Sequence, residues 1–361
     1  MRLGVIAALM TLGLAALVVA QMAAGPSSVS GLSPPQDRGG AVFASASQAA
    51  QTDATPAPTI GIAQAVAPQA RVASAARLTL AQSAIAAEPP AAQLPATCNN
   101  PDALGLSRVV EIDTTGGPAF GTEHFKQYDF LHDKEVVLTF DDGPWPENTP
   151  MVLKALQDNC IKATFFEIGE HATWRPDLTR ALVSAGMTVG SHTWSHKDLA
   201  KNPYAKDIEQ AKQEIELGVS AVHTAAAGGS IAPFFRFPAL QQPPELIAYL
   251  GTRNIAIFSA DIDTFDFKLR KPEDVVKSAM TKLAKNGKGI VLMHDFQRAT
   301  AQAMPELIRQ LKAGGYKIVH MVPKDPVTTL AKYDDMVRAQ DKYSTSNNTR
   351  PESSVVKTMS Q

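Results

Sequence analysis

The chain has no surplus of charge to offer a polyanion: 34 Lys and Arg stand against 35 Asp and Glu, a formal net charge of −1 over 361 residues. A nucleic-acid partner needs a basic stripe. The most basic local stretch, residues 282–288, reads as an ordinary solvated helix and loop face. No internal repeat is present. Cysteine is scarce, with only Cys98 and Cys160. None stands near residue 21, which argues against lipid attachment there. An even count in an exported protein permits one disulfide, tying the approach to the folded region to the end of its first helix. Two unpaired thiols are the alternative, because pairing depends on a Cα separation that sequence does not give.

Export is what the first 20 residues point to. Arg2 precedes an uncharged apolar run over 3–20, and Val18-Val19-Ala20 offers small residues before a cut at Gln21. The run is also long enough to span a bilayer, so an uncleaved membrane anchor is the second reading of 1–20. Either way the remainder lies outside the cytoplasm, periplasmic or secreted. Residues 21–95, rich in Ala, Ser, Gln and Pro, show no persistent period and bury too little apolar area to offset ordering; they read as a disordered tether. Residues 333–361 read as a flexible polar tail. The folded domain is therefore expected over 96–332. With 45% hydrophobic residues, the chain can supply one substantial core or two small ones.

Within it, strand and helix patterns alternate. Strands are predicted at 135–140, 162–168, 187–190, 233–237, 255–260, 289–293 and 317–321. Helices are predicted at 149–158, 176–185, 205–222, 244–250, 272–284 and 305–313. About seven βα units imply a parallel sheet with helices outside, and suggest a barrel somewhat small for eight units. Chemistry in such barrels sits where strands end. Here the strand ends carry Asp141-Asp142, His192 with His196, Arg236, the Asp261 to Asp266 run, and His294. Solvated turns are the default for such residues, but five charged or metal-capable clusters on one barrel face exceed it.

Two imidazoles plus one carboxylate with an open position is the pattern of a catalytic zinc. His192 and His196 supply the first part; Asp141 or Asp142 supplies the carboxylate. Adjacent residues at a strand end point in different directions. One can hold the metal while the other faces the water whose pKa the metal lowers toward about 7. Two adjacent acids then give one ligand and one general base.

The segments TFDDGP (139–144), SHTWSH (191–196), RFP (236–238), DIDTFDF (261–267) and LMH (292–294) occur in that order. The set resembles the polysaccharide deacetylases, the NodB-homology domain of carbohydrate esterase family four, over residues 130–325. The resemblance implies a distorted (β/α)7 barrel and metal-dependent removal of acetyl groups, usually from N-acetylglucosamine units. It makes Asp141 the base and Asp142, His192 and His196 the metal ligands. Arg236 then orients Asp141, His294 is the general acid, and Asp266 tunes His294. Zinc is the default metal, with cobalt, nickel or manganese able to fit. Candidate substrate contacts are Pro238, Leu292 and Ala239, the N–H of Ala239 serving an oxyanion hole; Trp145 and Trp194 read either as a substrate platform or as lids packing on the barrel end.

The third and fourth motifs depart from the family pattern. Phe237 stands where a proline is usual, the aromatic and glycine after it are missing, Phe267 replaces a Trp, and Ala260 occupies another position often held by Trp. Fewer flat rings weaken the case for a long stacked chitin chain. Phe265 and Phe267 either replace part of that wall or pack in the core. Three functions are thus in play. The leading one is N-deacetylation of chito-oligosaccharide, peptidoglycan or an exopolysaccharide. The others are an O-acetyl esterase acting on substrates such as xylan, and a non-catalytic carbohydrate-binding protein. No protein partner is implied.

Overall fold

The computed structural model describes residues 100–344. The expected leader or anchor (1–20), the tether (21–95), Cys98 and residues 345–361 lie outside the described residues. Strand β1 (Leu106–Ile112) and the short β2 (Ala119–Phe120) come first, ahead of anything the apolar pattern marks as strand. β3 (Glu135–Asp141) is buried along its whole length, as an apolar run covered on both faces should be. β4 (Thr164–Glu167), β5 (Thr188–Ser191), β6 (Phe234–Phe235), β7 (Ala256–Phe258), β8 (Ile262–Asp263), β9 (Gly289–His294) and β10 (Lys317–Pro323) follow.

Every strand pairing among the described residues is parallel. β3 to β7 lie side by side. β8 continues directly from β7 and pairs with β9, which returns to β3 along that strand's length. The result is the distorted α/β barrel expected from the βα rhythm. β10 and β1 branch from the start of β3.

Helices clothe the outside: α1 (Asn148–Asp158), α2 (Gly169–Trp174), α3 (Pro176–Ser184), α4 (Ile208–Ala225), α5 (Pro244–Thr252), α6 (Pro272–Asn286) and α7 (Arg298–Ala313). Proline opens α3, α5 and α6, where its missing N–H costs nothing. α7 departs from expectation. Pro305 sits inside the helix, not at its start, because a buried stripe from Ala299 to Leu311 holds the turns on either side of it. The expected tail also needs correction. Residues 331–344 form a further helix, α8 (Ala331–Ser344), whose buried Val337 packs on Leu217 and Ala221 of α4. No helix among the described residues is long and apolar enough to cross a membrane.

Side-chain alternation sets up the site. Val136, Leu138 and Phe140 join the large core that includes helix residues, while Val137 joins Phe166, Phe234, Phe258 and Ile290 in the other core, inside the barrel. A period of two places Thr139 and Asp141 on the inward face of β3 as well, and Leu292 and His294 on that of β9. Arg236, two residues past Phe234, falls on the same face.

Candidate metal and acid–base site

The register pairs Asp141 directly with His294 on the neighbouring strand. Beyond Asp141 the chain turns sharply. Asp142 has φ 70°, and in the loop after β5 Thr193 and His196 have φ 70° and 55°. Left-handed backbone at bulky non-glycine residues is uncommon and concentrates where geometry serves function. Gly218 in α4 lets the 192–196 loop lie close, since a Cβ there would run into the Thr193 backbone.

This geometry gathers one oxygen and two nitrogens. His196 Nε2 lies 3.1 Å and His192 Nε2 3.4 Å from Asp142 Oδ1. Ligand atoms of Asp142, His192 and His196 all fall within 4.8 Å of one another. Three features fit this set to a divalent cation. Asp142 Oδ1 is buried and accepts no hydrogen bond among the described residues. His192 Nδ1 is 2.6 Å from the Arg236 carbonyl, which makes Nδ1 the donor and leaves Nε2 its lone pair. Burial, with His196 nearby, pushes His192 down to about 3, so the ring is neutral. Burial opposes charge on Asp142 too, yet the surrounding imidazoles hold it below the usual carboxylate range.

Asp141 is held differently. Its Oδ1 accepts from Arg236 Nη1 at 2.7 Å, while Oδ2 stands 3.8 Å from His192 Nε2. Burial raises Asp141 to about 6 against the pull of Arg236; a cation at the neighbouring ligands would draw it down again. Arg236 is fully buried and uses its whole fork. Nη1 also donates to Thr139 Oγ1, Nε to the Phe258 carbonyl, and Nη2 to the Ser259 carbonyl, with the Phe166 ring 4.3 Å away. So anchored, it fixes one rotamer of Asp141.

His294 forms the opposite wall. Its Nδ1 meets Asp266 Oδ1 at 2.7 Å, and its backbone N–H donates to Asp266 Oδ2. Thr300 also donates to Oδ2. Burial works against an imidazolium here, but Asp266 outweighs it and carries His294 up to about 10. Its Nε2 points toward the site, 3.9 Å from Asp142 Oδ2.

The substrate candidates divide. Pro238 is buried and opens a 3₁₀ turn, Pro238–Leu240, in which Ala239 is exposed with φ 52°. Leu292 is buried two residues before His294. Trp145 packs edge-on against His171 and Trp174, and His171 Nδ1 donates to the Asp142 carbonyl, so Trp145 borders the turn that carries Asp142. Trp194 has a half-buried ring that packs under α8 with Leu217, Ala221 and Val337, in keeping with the packing alternative. Phe237 packs in the core against Phe235. Phe265 and Phe267, in contrast, are 43% and 37% exposed, so core packing does not describe them. Cys160 is disulfide-bonded, and Cys98, its expected partner, lies outside the described residues.

Sequence reasoning missed Thr139, His171 and Thr300. Thr139 carried a signal, being two residues before Asp141 on one strand face. The other two carried none, as they reach the site only through the fold.

What these elements define is a parallel α/β barrel with a carboxylate–dihistidine ligand set flanked by an arginine-held acid and a carboxylate-held imidazole. The polysaccharide deacetylase family profile matches residues 130–254. The chain is 32% identical over 192 residues to the peptidoglycan-N-acetylglucosamine deacetylase PgdA of Listeria monocytogenes, covering 52% of this chain but only 38% of that one. It is 32% identical over 196 residues to the chitin deacetylase of Colletotrichum lindemuthianum, covering 51% of this chain and 76% of that one. Among solved structures it resembles the Bdellovibrio bacteriovorus peptidoglycan deacetylase Bd3279 with a TM-score of 0.54 and 30% identity, over 61% and 59% of the two chains. The chain belongs to the polysaccharide deacetylase family. The profile match stops before Asp266 and His294; the barrel is what brings those two residues to the others.

Proposed function

We infer that this protein is a metal-dependent hydrolase that removes acetyl groups from the amino-sugar units of a carbohydrate outside the cytoplasm. One observation carries the reading: the Asp142, His192 and His196 cluster, Asp141 held by buried Arg236 and His294 held by buried Asp266 converge on one mouth of the barrel. Asp142, His192 and His196 would hold a divalent cation, zinc by donor preference, with cobalt, nickel or manganese also suited. When bound, it supplies Lewis-acid polarisation of the acyl oxygen and acidifies water.

The chain's own residues do the rest. Asp141, with one oxygen fixed by Arg236 and the other facing the ligand set, takes the proton of the attacking water. His294 enters the reaction charged and gives its Nε2 proton to the leaving amine, while Asp266 holds Nδ1 and stabilises the imidazolium. The Ala239 amide, on the turn after Arg236, is the candidate donor to the developing oxyanion.

The test is acetate release by the full chain after chelation, with and without added zinc. Chito-oligosaccharide, peptidoglycan and acetylated xylan would be compared. Zinc-restored release from an amino-sugar substrate, absent in Asp141→Asn, is expected. Release from xylan alone would overturn the amide reading in favour of an esterase. No release from any substrate would overturn both.

A further inference from the structure

We propose that the exposed stretch 265–270, beside His294, is a binding site for a carboxylate carried by the glycan, selecting an acidic amino-sugar chain over neutral chitin. The inference rests on the deacetylase reading for its geometry and adds the chemical class of the substrate.

The stretch reads Phe265-Asp266-Phe267-Lys268-Leu269-Arg270. Asp266 faces inward onto His294; its neighbours face out. Phe265 adopts a left-handed backbone (φ 54°), held by its N–H donating to Asp263 Oδ1 at 2.8 Å. For a bulky aromatic that conformation is a strained outlier, and it leaves the ring exposed. Burial therefore does not explain the residue. What the ring touches does. Lys282 Nζ lies 4.2 Å and Lys268 Nζ 4.7 Å from its centroid, and Lys268 Nζ is also 5.2 Å from the Phe267 ring.

Phe267 in turn meets the His294 ring edge-on at 5.3 Å. The Lys268 ammonium is thus one ring removed from the catalytic acid. Arg270 completes the patch. It reaches Gln297 Oε1 at 3.4 Å, and Gln297 donates back to the Phe267 carbonyl, so the guanidinium is tied to the loop that follows His294.

An aromatic face orients a cation without cancelling its charge, whereas a carboxylate partner would neutralise it. Neither Lys268 nor Arg270 has a carboxylate within salt-bridge distance among the described residues. Glu273 and Asp274 are nearby in sequence but open α6, where the helix N-terminus favours acids. One cation displayed over rings beside the acid, and a second tied to the neighbouring loop through Gln297, suit an anion that arrives with the substrate. An amino-sugar chain supplies one when it bears lactyl ether carboxylates, or the carboxylates of peptides attached to them. Neutral chitin does not. The charge selection proposed here belongs to Lys268 and Arg270.

The experiment compares three chains of equal sugar number: chitotetraose, a tetrasaccharide alternating N-acetylglucosamine with free N-acetylmuramic acid, and the same tetrasaccharide with its lactyl groups carrying stem peptides. Binding by calorimetry and acetate release are both measured on the full chain and on Lys268→Gln/Arg270→Gln. Both positions are exposed, so the fold is not at stake. The wild type should bind at least one acidic chain about tenfold more tightly than chitotetraose at low salt. The double variant should lose that preference through Kd and KM, with its handling of chitotetraose unchanged. Whichever acidic chain shows the effect identifies the carboxylate. Equal binding of all three chains, or equal weakening of all three in the variant, overturns the proposal. If the preference appears but no chain releases acetate, the deacetylase reading falls and the anion site stands. If chitotetraose is deacetylated without any preference for acid, the reverse holds.

Discussion

At the first residue of β3 a carboxylate meets Arg108; at the last, another meets Arg236. Glu135 is saturated. Both its oxygens accept from Arg108, and Oε2 also takes the His132 N–H. The Arg108 hydrogen bonds draw it down to about 2. Asp141 receives Arg236 on one oxygen only, and burial raises it to about 6. Beside it, Asp142 keeps a buried oxygen without a hydrogen bond among the described residues. One strand thus carries a finished ion pair at one end and a deliberately incomplete one at the other. A satisfied buried carboxylate is a clip. An unsatisfied one, with imidazoles facing it, is a place for something else to bind or react.

The sharpest way to break the comparison is to make the same chemical change at each end. Asp141→Asn keeps an acceptor for Arg236 but removes the proposed base. It should lower the deacetylation rate about 10²–10⁴-fold with a small change in melting temperature. Glu135→Gln should leave that rate within about twofold. Comparable rate losses at both ends, measured by acetate release, would dissolve the distinction.

Next in size is the proposed acid. His294→Ala removes the proton that a leaving amine needs and an alcohol needs less. Amide cleavage should fall about 10²-fold or more, and cleavage of an acetate ester of similar shape clearly less. Asp266→Asn should act in the same direction by lowering the His294 pKa, so the alkaline limb of the rate profile moves to lower pH. Equal losses on amide and ester would remove His294 from the leaving-group role.

How much of this was legible before the fold follows from where the information lies. Asp141, Arg236 and His294 announce themselves because each stands at the end of an apolar strand and alternation fixes its face, and Asp142 because it follows directly on the turn. The supporting contacts span large gaps: Arg236 to Thr139, Thr300 to Asp266, His171 to the Asp142 carbonyl. No local pattern encodes them. Trp194 is a residue whose two readings, platform or packing lid, the sequence left open. It sits between two metal-loop residues in sequence, yet the left-handed turn at Thr193 leaves its ring packed beneath α8. The same helix was unreadable in 333–344 because a polar sequence with one buried valine owes its order to the face of α4 it covers, not to propensity. Pro305 misled for a related reason: a buried stripe outweighs a helix-breaking residue.

The structural end of the strand makes a smaller prediction. Arg108 is about one-third exposed, so the pair is only partly shielded from solvent. Glu135→Gln should cost about 1–2 kcal/mol in denaturant unfolding at pH 7. Its folded pKa is depressed. The contribution is therefore complete above the unfolded value near 4.5 and disappears as pH falls through about 2. Wild type and variant should converge in stability at the acid end, and a constant gap down to pH 2 would show that the clip does not act through charge.

The smallest effect lies on β10, which pairs with the start of β3. His320 is buried with Nε2 2.9 Å from Thr188 Oγ1, and burial, helped by Lys162, pushes it down to about 4. The folded state binds fewer protons than the unfolded one, whose histidine titrates near 6.5. Stability from this group is complete above pH 6.5 and declines as pH falls toward 4, by up to about 1.4 kcal/mol per unit. His171 and His192 add slopes of the same sign. His320→Gln should therefore flatten the stability curve between pH 6.5 and 4 without abolishing its slope, and leave the pH profile of acetate release where it was. That last condition ties the histidine to the comparison. A group near the structural end of β3 should move stability alone, and a shifted rate profile would mean that the two ends of the strand are coupled.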